Sequence, residues 1–260
     1  MMLDEIVQSK RREIAQAKQR LPLEELKTRV ASYHAARNFR DVLAAPGKLS
    51  LIAELKRKSP SKGMLRERFD PVSLAQTMEE AGAAALSVLT DEPFFGGHLD
   101  FLRDAKQFTE VPVLRKDFIL EPYQIYEAAV YEADAVLLIV RLLPQAQLRE
   151  CLDVAHRLGM EALVEVHAQE ELATALAAGA RILGINHRDL QTFQMDMTLS
   201  ERLIPRIPSG CVIVAESGIQ TPEDVQRMQR LGVHALLIGE SLMVSPDVSA
   251  KIRQLFAGTW

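Results

Sequence analysis

The 260-residue sequence has few cysteines, few aromatic side chains and no large excess of charge of either sign. Its two cysteines, Cys151 and Cys211, cannot build a disulfide framework, which is typical of a reducing compartment. The formal net charge is −4, so no basic excess points to nucleic acid as a partner. The apolar runs are far shorter than the ~18 residues of a membrane-spanning helix. The charged N-terminal stretch lacks the apolar segment of a signal peptide, so we expect a cytoplasmic protein with no membrane partner.

Sequence motifs for metals and nucleotides are missing as well. The histidines and cysteines are scattered without the spacing of metal ligands. The sequence has no Walker loop and no G-x-S-x-G nucleophile motif, and no G-x-G-x-x-G follows the first apolar run. We therefore expect acid–base chemistry without a metal or a cofactor.

The first 47 residues differ in pattern from the rest of the chain. Apolar residues recur there at helical spacing among many charged ones, and Pro22 separates two helical segments. Pro46 and Gly47 mark the junction with the remainder of the sequence. The pattern predicts a helical N-terminal extension over residues 1–47.

Residues 48–260 alternate between short apolar runs and helical patterns. The eight runs are Leu49–Leu55, Ala84–Leu89, Pro112–Leu114, Ala135–Val140, Ala162–Val166, Ile182–Ile185, Val212–Ala215 and Ala235–Ile238. Gly159, Gly179 and Gly232 follow helical patterns, as C-terminal caps do. Eight repeats of roughly 26 residues fit closure better than an open doubly wound sheet. We predict an α/β fold, a single (β/α)8 TIM barrel over residues 48–260 preceded by the helical extension.

Polar residues stand where the apolar runs stop, and in such a barrel these strand ends carry the chemistry. In chain order they are Glu54, Lys56, Thr90, Lys116, Arg141, Glu165, Asn186, Glu216 and Gly239. Because side chains alternate along a strand, Glu54 and Lys56 share the face of Ile52, and Lys116 shares the face of Leu114. Structural ion pairs are the alternative interpretation of these charges. We place His167 and His187, one residue off this face, outside the site.

The charges at the strand ends also lead to expectations about their protonation. Three acids against two lysines exceed simple pairing, an arrangement that pushes pKa values apart. Lys116 lies between apolar residues, and we expect burial to lower its pKa. Lys56, Lys116 and Arg188 are expected to create a local positive field.

Small residues follow the seventh and eighth runs, where barrels commonly bind phosphate. Backbone N–H groups can approach an anion closely at Ser217-Gly218 and Gly239-Glu240. The Glu240 carboxylate would have to turn away from such an anion.

Several motifs together resemble the indole-3-glycerol phosphate synthase family over essentially the whole chain. They are AELKRKSPSKG, SVLTD, PVLRKDFI, ADAVLLIV, ALVEVH, GINHRDL, VAESGI and LLIGESLM. The resemblance implies conversion of 1-(2-carboxyphenylamino)-1-deoxyribulose 5-phosphate to indole-3-glycerol phosphate, carbon dioxide and water in tryptophan biosynthesis. The chain departs from the family pattern at His187, where Asn is usual, and in the Gly-rich FFGG segment.

By the same resemblance, site residues carry over position by position. The catalytic set is Glu54, Lys56, Lys116, Glu165, Asn186, Glu216 and Ser217. The substrate-binding set is Ser59, Phe95, Phe118, Leu137, Ile139, Arg188 and Leu190. The phosphate-binding set is Lys56, Ser217, Gly218, Gly239 and Glu240. We expect Lys116 to be the general acid, with Glu165 or Glu54 as the base and Lys56 as an acid or an anion clamp.

Two other functions are weighed against this one. An isomerase similar to phosphoribosylanthranilate isomerase would use a Cys/Asp pair at strand ends, and neither Cys151 nor Cys211 stands at such a position. A non-catalytic phosphate-binding barrel would have lost a Lys or Glu at the strand ends, and none is lost. The expected partner is a small phosphorylated substrate, with a monomer as the expected state and association with other tryptophan-pathway enzymes left open.

Overall fold

A closed barrel of eight parallel strands forms the centre of the computed structural model, which describes residues 2–30 and 36–260. The barrel strands are β1 (Ser50–Leu55), β2 (Ala85–Leu89), β3 (Val113–Lys116), β4 (Ala135–Ile139), β5 (Glu161–Val166), β6 (Ile182–Asn186), β7 (Val212–Glu216) and β8 (Ala235–Ile238). Each strand pairs with the next in chain order, and β8 closes the barrel on β1. The predicted (β/α)8 barrel is confirmed, and the predicted apolar runs match these strands to within two residues.

Helices precede the barrel and connect its strands. They are α1 (Met2–Arg20), α2 (Leu23–Val30), α3 (Phe39–Leu43), α4 (Pro71–Glu80), α5 (Glu92–Phe95), α6 (Leu99–Phe108), α7 (Tyr123–Val130), α8 (Gln145–Arg157), α9 (Gln169–Ala178), α10 (Leu199–Leu203), α11 (Pro222–Arg230), α12 (Glu240–Met243) and α13 (Val248–Leu255). Single turns of 3₁₀-helix cover Val140–Leu142 and Ile204–Arg206, and a short hairpin pairs Lys58–Ser59 with Gly63–Met64. The three predicted capping glycines have positive φ.

Two apolar clusters show which strand residues face inward. Ile52, Leu114, Leu163 and Val214 belong to the cluster inside the barrel, whereas their strand neighbours, such as Leu51, pack between the sheet and the surrounding helices. Alternation then directs the side chains two residues further along each strand into the mouth. The predicted inward faces of β1 and β3 are therefore confirmed, and β5 and β7 follow the same alternation.

The N-terminal helices contact both ends of the barrel. At the mouth, Lys10 of α1 is fully buried, with its Nζ 3.1 Å from Asp91 Oδ2 and 2.8 Å from Asp117 Oδ1. At the opposite end, Ser50 Oγ donates a hydrogen bond of 2.9 Å to the carbonyl of Val42 in α3. Helix α1 therefore packs near the mouth, while α3 covers the other end. The boundary at residue 47 stays a prediction, and residues 1 and 31–35 of the predicted extension lie outside the described residues.

Candidate active site

A pocket at the carboxyl ends of the strands contains every site residue that the family resemblance implied. It encloses about 1040 Å³ of space not filled by atoms, including its open mouth. The predicted residues that line it are Glu54, Lys56, Ser59, Phe95, Lys116, Phe118, Leu137, Ile139, Glu165, Asn186, Arg188, Leu190, Glu216, Ser217, Gly218, Gly239 and Glu240. Thr90, Arg141, His167 and His187 do not line it. The strand parity therefore brings the predicted groups together, while their chemical roles remain proposals.

Lys116 occupies the centre of the charged floor of the pocket. Its Nζ donates hydrogen bonds of 3.0 Å to Glu165 Oε2 and 2.7 Å to Glu216 Oε2, which joins β3, β5 and β7. Both carboxylate residues are buried. The ammonium group of Lys116 thus forms ion pairs with two carboxylates, and it does not pair with the neighbouring Asp117.

The protonation of this group follows from burial and from the three charges together. Burial lowers the pKa of Lys116, but the charges of Glu165 and Glu216 outweigh burial, so the pKa is raised. The expected lowering of the Lys116 pKa is therefore wrong. Burial raises the pKa of Glu216 to about 7, and the neighbouring Glu165 adds to this rise. Burial also acts to raise the pKa of Glu165, yet Lys116 and His167 outweigh it and lower that pKa.

A second ion pair lies on β1, where Lys56 Nζ is 2.7 Å from Glu54 Oε2. Arg188 is paired as well, with Nη2 3.1 Å from Glu240 Oε2. Every basic side chain expected to create a positive field therefore has an acidic partner, and that expectation is wrong.

Two glycines provide the space for these carboxylates. A Cβ atom added at Gly184 would lie 2.2 Å from Glu216 Oε1, and one added at Gly239 would lie 2.0 Å from Glu54 Oε2. Gly239 was predicted to bind phosphate through its backbone, not to make room for a carboxylate. Gly184 was not predicted to belong to the site. A glycine inside a strand signals close approach of another group, and that signal was available in the sequence.

One wall of the pocket is apolar. Phe95 and Phe118 contact each other with ring centroids 5.8 Å apart, and Leu137, Ile139 and Leu190 lie in the same apolar cluster. Phe193 also lines the pocket and was not predicted. This wall can hold an aromatic ring against the charged floor.

The loops after β7 and β8 bring backbone to the pocket. Ser217 and Gly218 have φ of 67° and 81°, the left-handed region that a non-glycine residue seldom adopts. A buried histidine, His187, supports this strained turn through a contact of 3.0 Å between Nδ1 and the carbonyl of Ser217. The other ring nitrogen, Nε2, lies 2.7 Å from Ser200 Oγ. Burial lowers the pKa of His187, so the ring is neutral. Its Nδ1–H group then donates to the carbonyl of Ser217, and Nε2 accepts from the Ser200 hydroxyl group. Glu240 keeps its carboxylate on Arg188.

His187 and Lys10 act on the site from outside the pocket, and strand parity could not identify them. Lys10 binds Asp117, the residue directly after Lys116, and Asp117 also accepts hydrogen bonds from Thr90 and Arg115. A buried polar network thus fixes the backbone between Lys116 and Phe118.

Neither a metal cluster nor a membrane span is present within residues 2–30 and 36–260. In that part of the chain no cluster of three or more His, Cys, Asp or Glu side chains could hold a metal ion. None of the helices described there is long and apolar enough to cross a membrane.

Comparison with known proteins identifies the family. The family model for indole-3-glycerol phosphate synthase matches residues 3–255. The chain is 46% identical to the indole-3-glycerol phosphate synthase of Dehalococcoides mccartyi strain CBDB1, over 98% of this chain and 100% of that relative. The proteins of the same name from Carboxydothermus hydrogenoformans and Sulfurimonas denitrificans are 46% and 45% identical, over 99% and 100% of this chain and 100% of each relative.

Solved structures share the fold at low sequence identity. The 3-hexulose-6-phosphate synthase of Salmonella typhimurium superposes with a TM-score of 0.65 at 13% identity, covering 80% of this chain and 96% of that one. The N-acetylmannosamine-6-phosphate 2-epimerase of Clostridium perfringens gives a TM-score of 0.63 at 16% identity, covering 81% and 93%. These likenesses concern the barrel alone, whereas the full-length matches at about 46% identity show the family. The chain belongs to the indole-3-glycerol phosphate synthase family.

Proposed function

We propose that the pocket at the barrel mouth closes the indole ring of 1-(2-carboxyphenylamino)-1-deoxyribulose 5-phosphate, using the charged floor for proton transfer and the apolar wall for the aryl ring. Membership of the family makes the chain a decarboxylating lyase of tryptophan biosynthesis. The observation that carries the assignment of residues is Lys116 held between Glu165 and Glu216 beside Phe95 and Phe118.

Ring closure requires a cationic donor next to the ketone oxygen. The aryl carbon that bears the carboxylate attacks the ketone carbon, and the electron pair of the carbonyl bond moves onto the oxygen. Lys116 is the proposed general acid, since its carboxylate neighbours keep it protonated and it lines the pocket. Carbon dioxide then leaves, and its bonding pair restores the aromatic ring.

Dehydration requires a second acid and a base. The hydroxyl group leaves as water after it receives a proton, and the methylene carbon next to the nitrogen gives up a proton whose bonding pair forms the carbon–carbon double bond of the indole ring. Lys56 is the proposed acid or anion clamp, and Glu54 or Glu165 the proposed base. The three groups line the same pocket, with Lys56 and Glu54 already joined by an ion pair.

The phosphate end of the substrate is proposed to bind at the loops after β7 and β8. The positive φ angles of Ser217 and Gly218 bring backbone into the pocket, and the N-terminus of α12 begins at Glu240. Backbone N–H groups in such turns favour an anion. Ser59 and Arg188 line the same pocket and are proposed to contact the substrate there.

The proposed reaction needs no metal and no cofactor, since protons and electron pairs balance among the substrate and the named side chains. Cys151 and Cys211 do not line the pocket, so no cysteine supports the isomerase alternative. A cytoplasmic monomer is the proposed working form.

A turnover assay tests the function directly. The purified chain is incubated with the carboxyphenylamino substrate in the presence of a metal chelator, and product is followed by indole fluorescence. We expect full conversion without added metal. Substrate that persists unchanged would overturn the proposal, and activity that returns only with a metal would overturn the cofactor-independent mechanism.

Replacing Lys116 tests its role as the acid. We expect Lys116→Ala to lower kcat by about 100-fold or more, the scale of a positioned general acid. Lys27→Ala is the matched control, because Lys27 lies exposed on α2, where it pairs with its helix neighbour Glu24 and lies over the Tyr126 ring. Thermal unfolding of both variants separates loss of chemistry from loss of fold. Wild-type turnover in Lys116→Ala would remove Lys116 from the mechanism.

A further inference from the structure

The charges that line the pocket do not balance one another. The charged residues that form ion pairs with one another inside the pocket are Lys56, Lys116, Arg188, Glu54, Glu165, Glu216 and Glu240. Three cations therefore face four carboxylates. A phosphorylated, carboxylated substrate adds more negative charge, so the free site needs either a further cation or a bound proton.

His167 lies directly behind this floor. It follows β5, and its side chain is 2% exposed. Its Nε2 is 3.3 Å from Glu165 Oε1, and its Nδ1 is 3.3 Å from Glu171 Oε2 on α9. The backbone N–H of His167 also donates to Glu171 Oε2 at 2.7 Å. The imidazole thus stands between two carboxylates, one in the pocket and one in the layer behind it.

Only one protonation state suits both neighbours. A neutral imidazole has one N–H group, and its other nitrogen would direct a lone pair at a buried carboxylate. An imidazolium has an N–H group for each. Glu171 is held on its other side by Arg141, which also binds Asp189. The pocket pairs and this layer together have six carboxylates against four cations before His167 is counted, so an imidazolium and one bound proton make up the difference.

We propose that His167 is an imidazolium that completes the charge balance of the active site, holding Glu165 ionised so that Glu216 is the carboxyl group that carries the shared proton. His167 does not reach the pocket, so it is a positioning residue that acts through Glu165. Its charge state does not depend on the proposed function, whereas its effect on turnover does.

The contacts of the two carboxylates are asymmetric in the way this requires. Lys116 Nζ contacts one oxygen of each. The second oxygen of Glu165 lies at an ion-pair distance of 3.3 Å from His167 Nε2, whereas the second oxygen of Glu216 is buried beside Gly184. Among the described residues neither oxygen has a hydrogen-bond partner, so the asymmetry is one of charge. The directions of the pKa shifts agree. Burial acts to lower the pKa of His167, but Glu165 and Glu171 outweigh it and raise the pKa to about 9.

The charge state of His167 can be measured in the intact protein. Side-chain ¹H–¹⁵N spectra of the histidines are recorded from pH 6 to 10, and His167 is assigned by through-bond correlation and by the signal lost in His167→Gln. We expect both nitrogens of His167 to be protonated at pH 7.5. A neutral ring at that pH overturns the proposal, whether or not the chain turns over its substrate.

The pH profile of kcat/KM tests the consequence for the carboxyl pair. Removing a neighbouring positive charge raises a carboxyl pKa by about 1 unit or more. We expect His167→Gln to shift the limb near neutral pH upward by about one pH unit and to lower kcat about tenfold, with less change in KM. His156→Gln is the matched control, since His156 faces Glu161 at 3.9 Å near the surface.

A merely structural role predicts a different result. His167→Gln would then lower the thermal midpoint and leave the pH limb in place, which overturns the proposal. If the wild-type chain fails in the turnover assay, the proposed function fails, and the spectrum of His167 still decides the charge assignment.

Discussion

Gly184 gives the sharpest test of how the charged floor is built. A Cβ atom at this position would lie 2.2 Å from Glu216 Oε1 and 3.2 Å from Leu163 Cδ1. Carbon and oxygen atoms that are not bonded stay about 3.2 Å or more apart, so in Gly184→Ala the carboxylate must retreat by roughly 1 Å. That carboxylate is held at 2.7 Å from Lys116 Nζ, and Glu216 is buried while Lys116 is half-buried.

The size of the effect follows from overpacking and from misplacement. Forcing extra volume into a packed interior destabilises by about 1–3 kcal/mol, and a displacement of about 1 Å at a catalytic group can lower turnover by about 100-fold. We expect Gly184→Ala to lose stability and activity on these scales. One kcal/mol corresponds to a change in Tm of about 2–4 °C for a chain of this size.

A double-mutant cycle identifies the clashing atom. Thermal unfolding is measured for Gly184→Ala, Glu216→Ala, the double variant and the wild type. Without the Glu216 carboxylate the added methyl group has room, so we expect a coupling of about 1–3 kcal/mol between the two sites. Equal destabilisation by Gly184→Ala in both backgrounds would refute the reasoning, as would unchanged turnover in the single variant.

Three further predictions concern the surroundings of the floor. Lys10→Met removes the ammonium group between the buried carboxylates of Asp91 and Asp117, and Asp117 then keeps its pair with Arg115. We expect the variant to be destabilised by about 3–5 kcal/mol in thermal unfolding, and a loss under about 1 kcal/mol would contradict this. His187→Phe removes the hydrogen bond to the Ser217 carbonyl, so we expect inorganic phosphate to inhibit turnover about 3- to 10-fold more weakly. Unchanged inhibition would show that this hydrogen bond does not support the phosphate site. Burial holds the pKa of Glu216 near 7, above its value in the unfolded chain, so this group favours the folded state at low pH and stability should fall as pH rises from about 5 to 7. Glu216→Gln should flatten that slope in urea unfolding measured across this range, and an unchanged slope would count against the assignment.

The barrel could be predicted from the sequence because its signals are local. The apolar run Leu49–Leu55 and the strand Ser50–Leu55 differ by one residue, and the other runs are similarly close. Such runs are buried on both faces, and glycine caps end the intervening helices. The hairpin at Lys58–Ser59 and the helices α3 and α12 were not predicted, since two to five residues are too few to show a period.

The candidate site could be predicted only in part. Alternation along β3 directs Lys116 into the mouth, but it does not tell which groups meet the side chain there. Those groups are Glu165 and Glu216, which stand 49 and 100 residues further along the chain. Because a pKa depends on neighbours as well as on burial, the direction expected from the Lys116 segment alone is wrong.

The same pairing changes how an anionic substrate can be held. Lys56, Lys116 and Arg188 were expected to attract it through a local positive field, yet each is already bound to a carboxylate. A substrate anion must therefore compete with those carboxylates, or bind where backbone N–H groups carry no competing charge, as at Ser217 and Gly218. A carboxylate displaced from Lys116 in a buried pocket would favour a proton, and Glu216 already has the raised pKa that such a group needs. Substrate binding and protonation of the floor are thus coupled by the shared lysine, a property that arises from three strands meeting and that no single strand reveals.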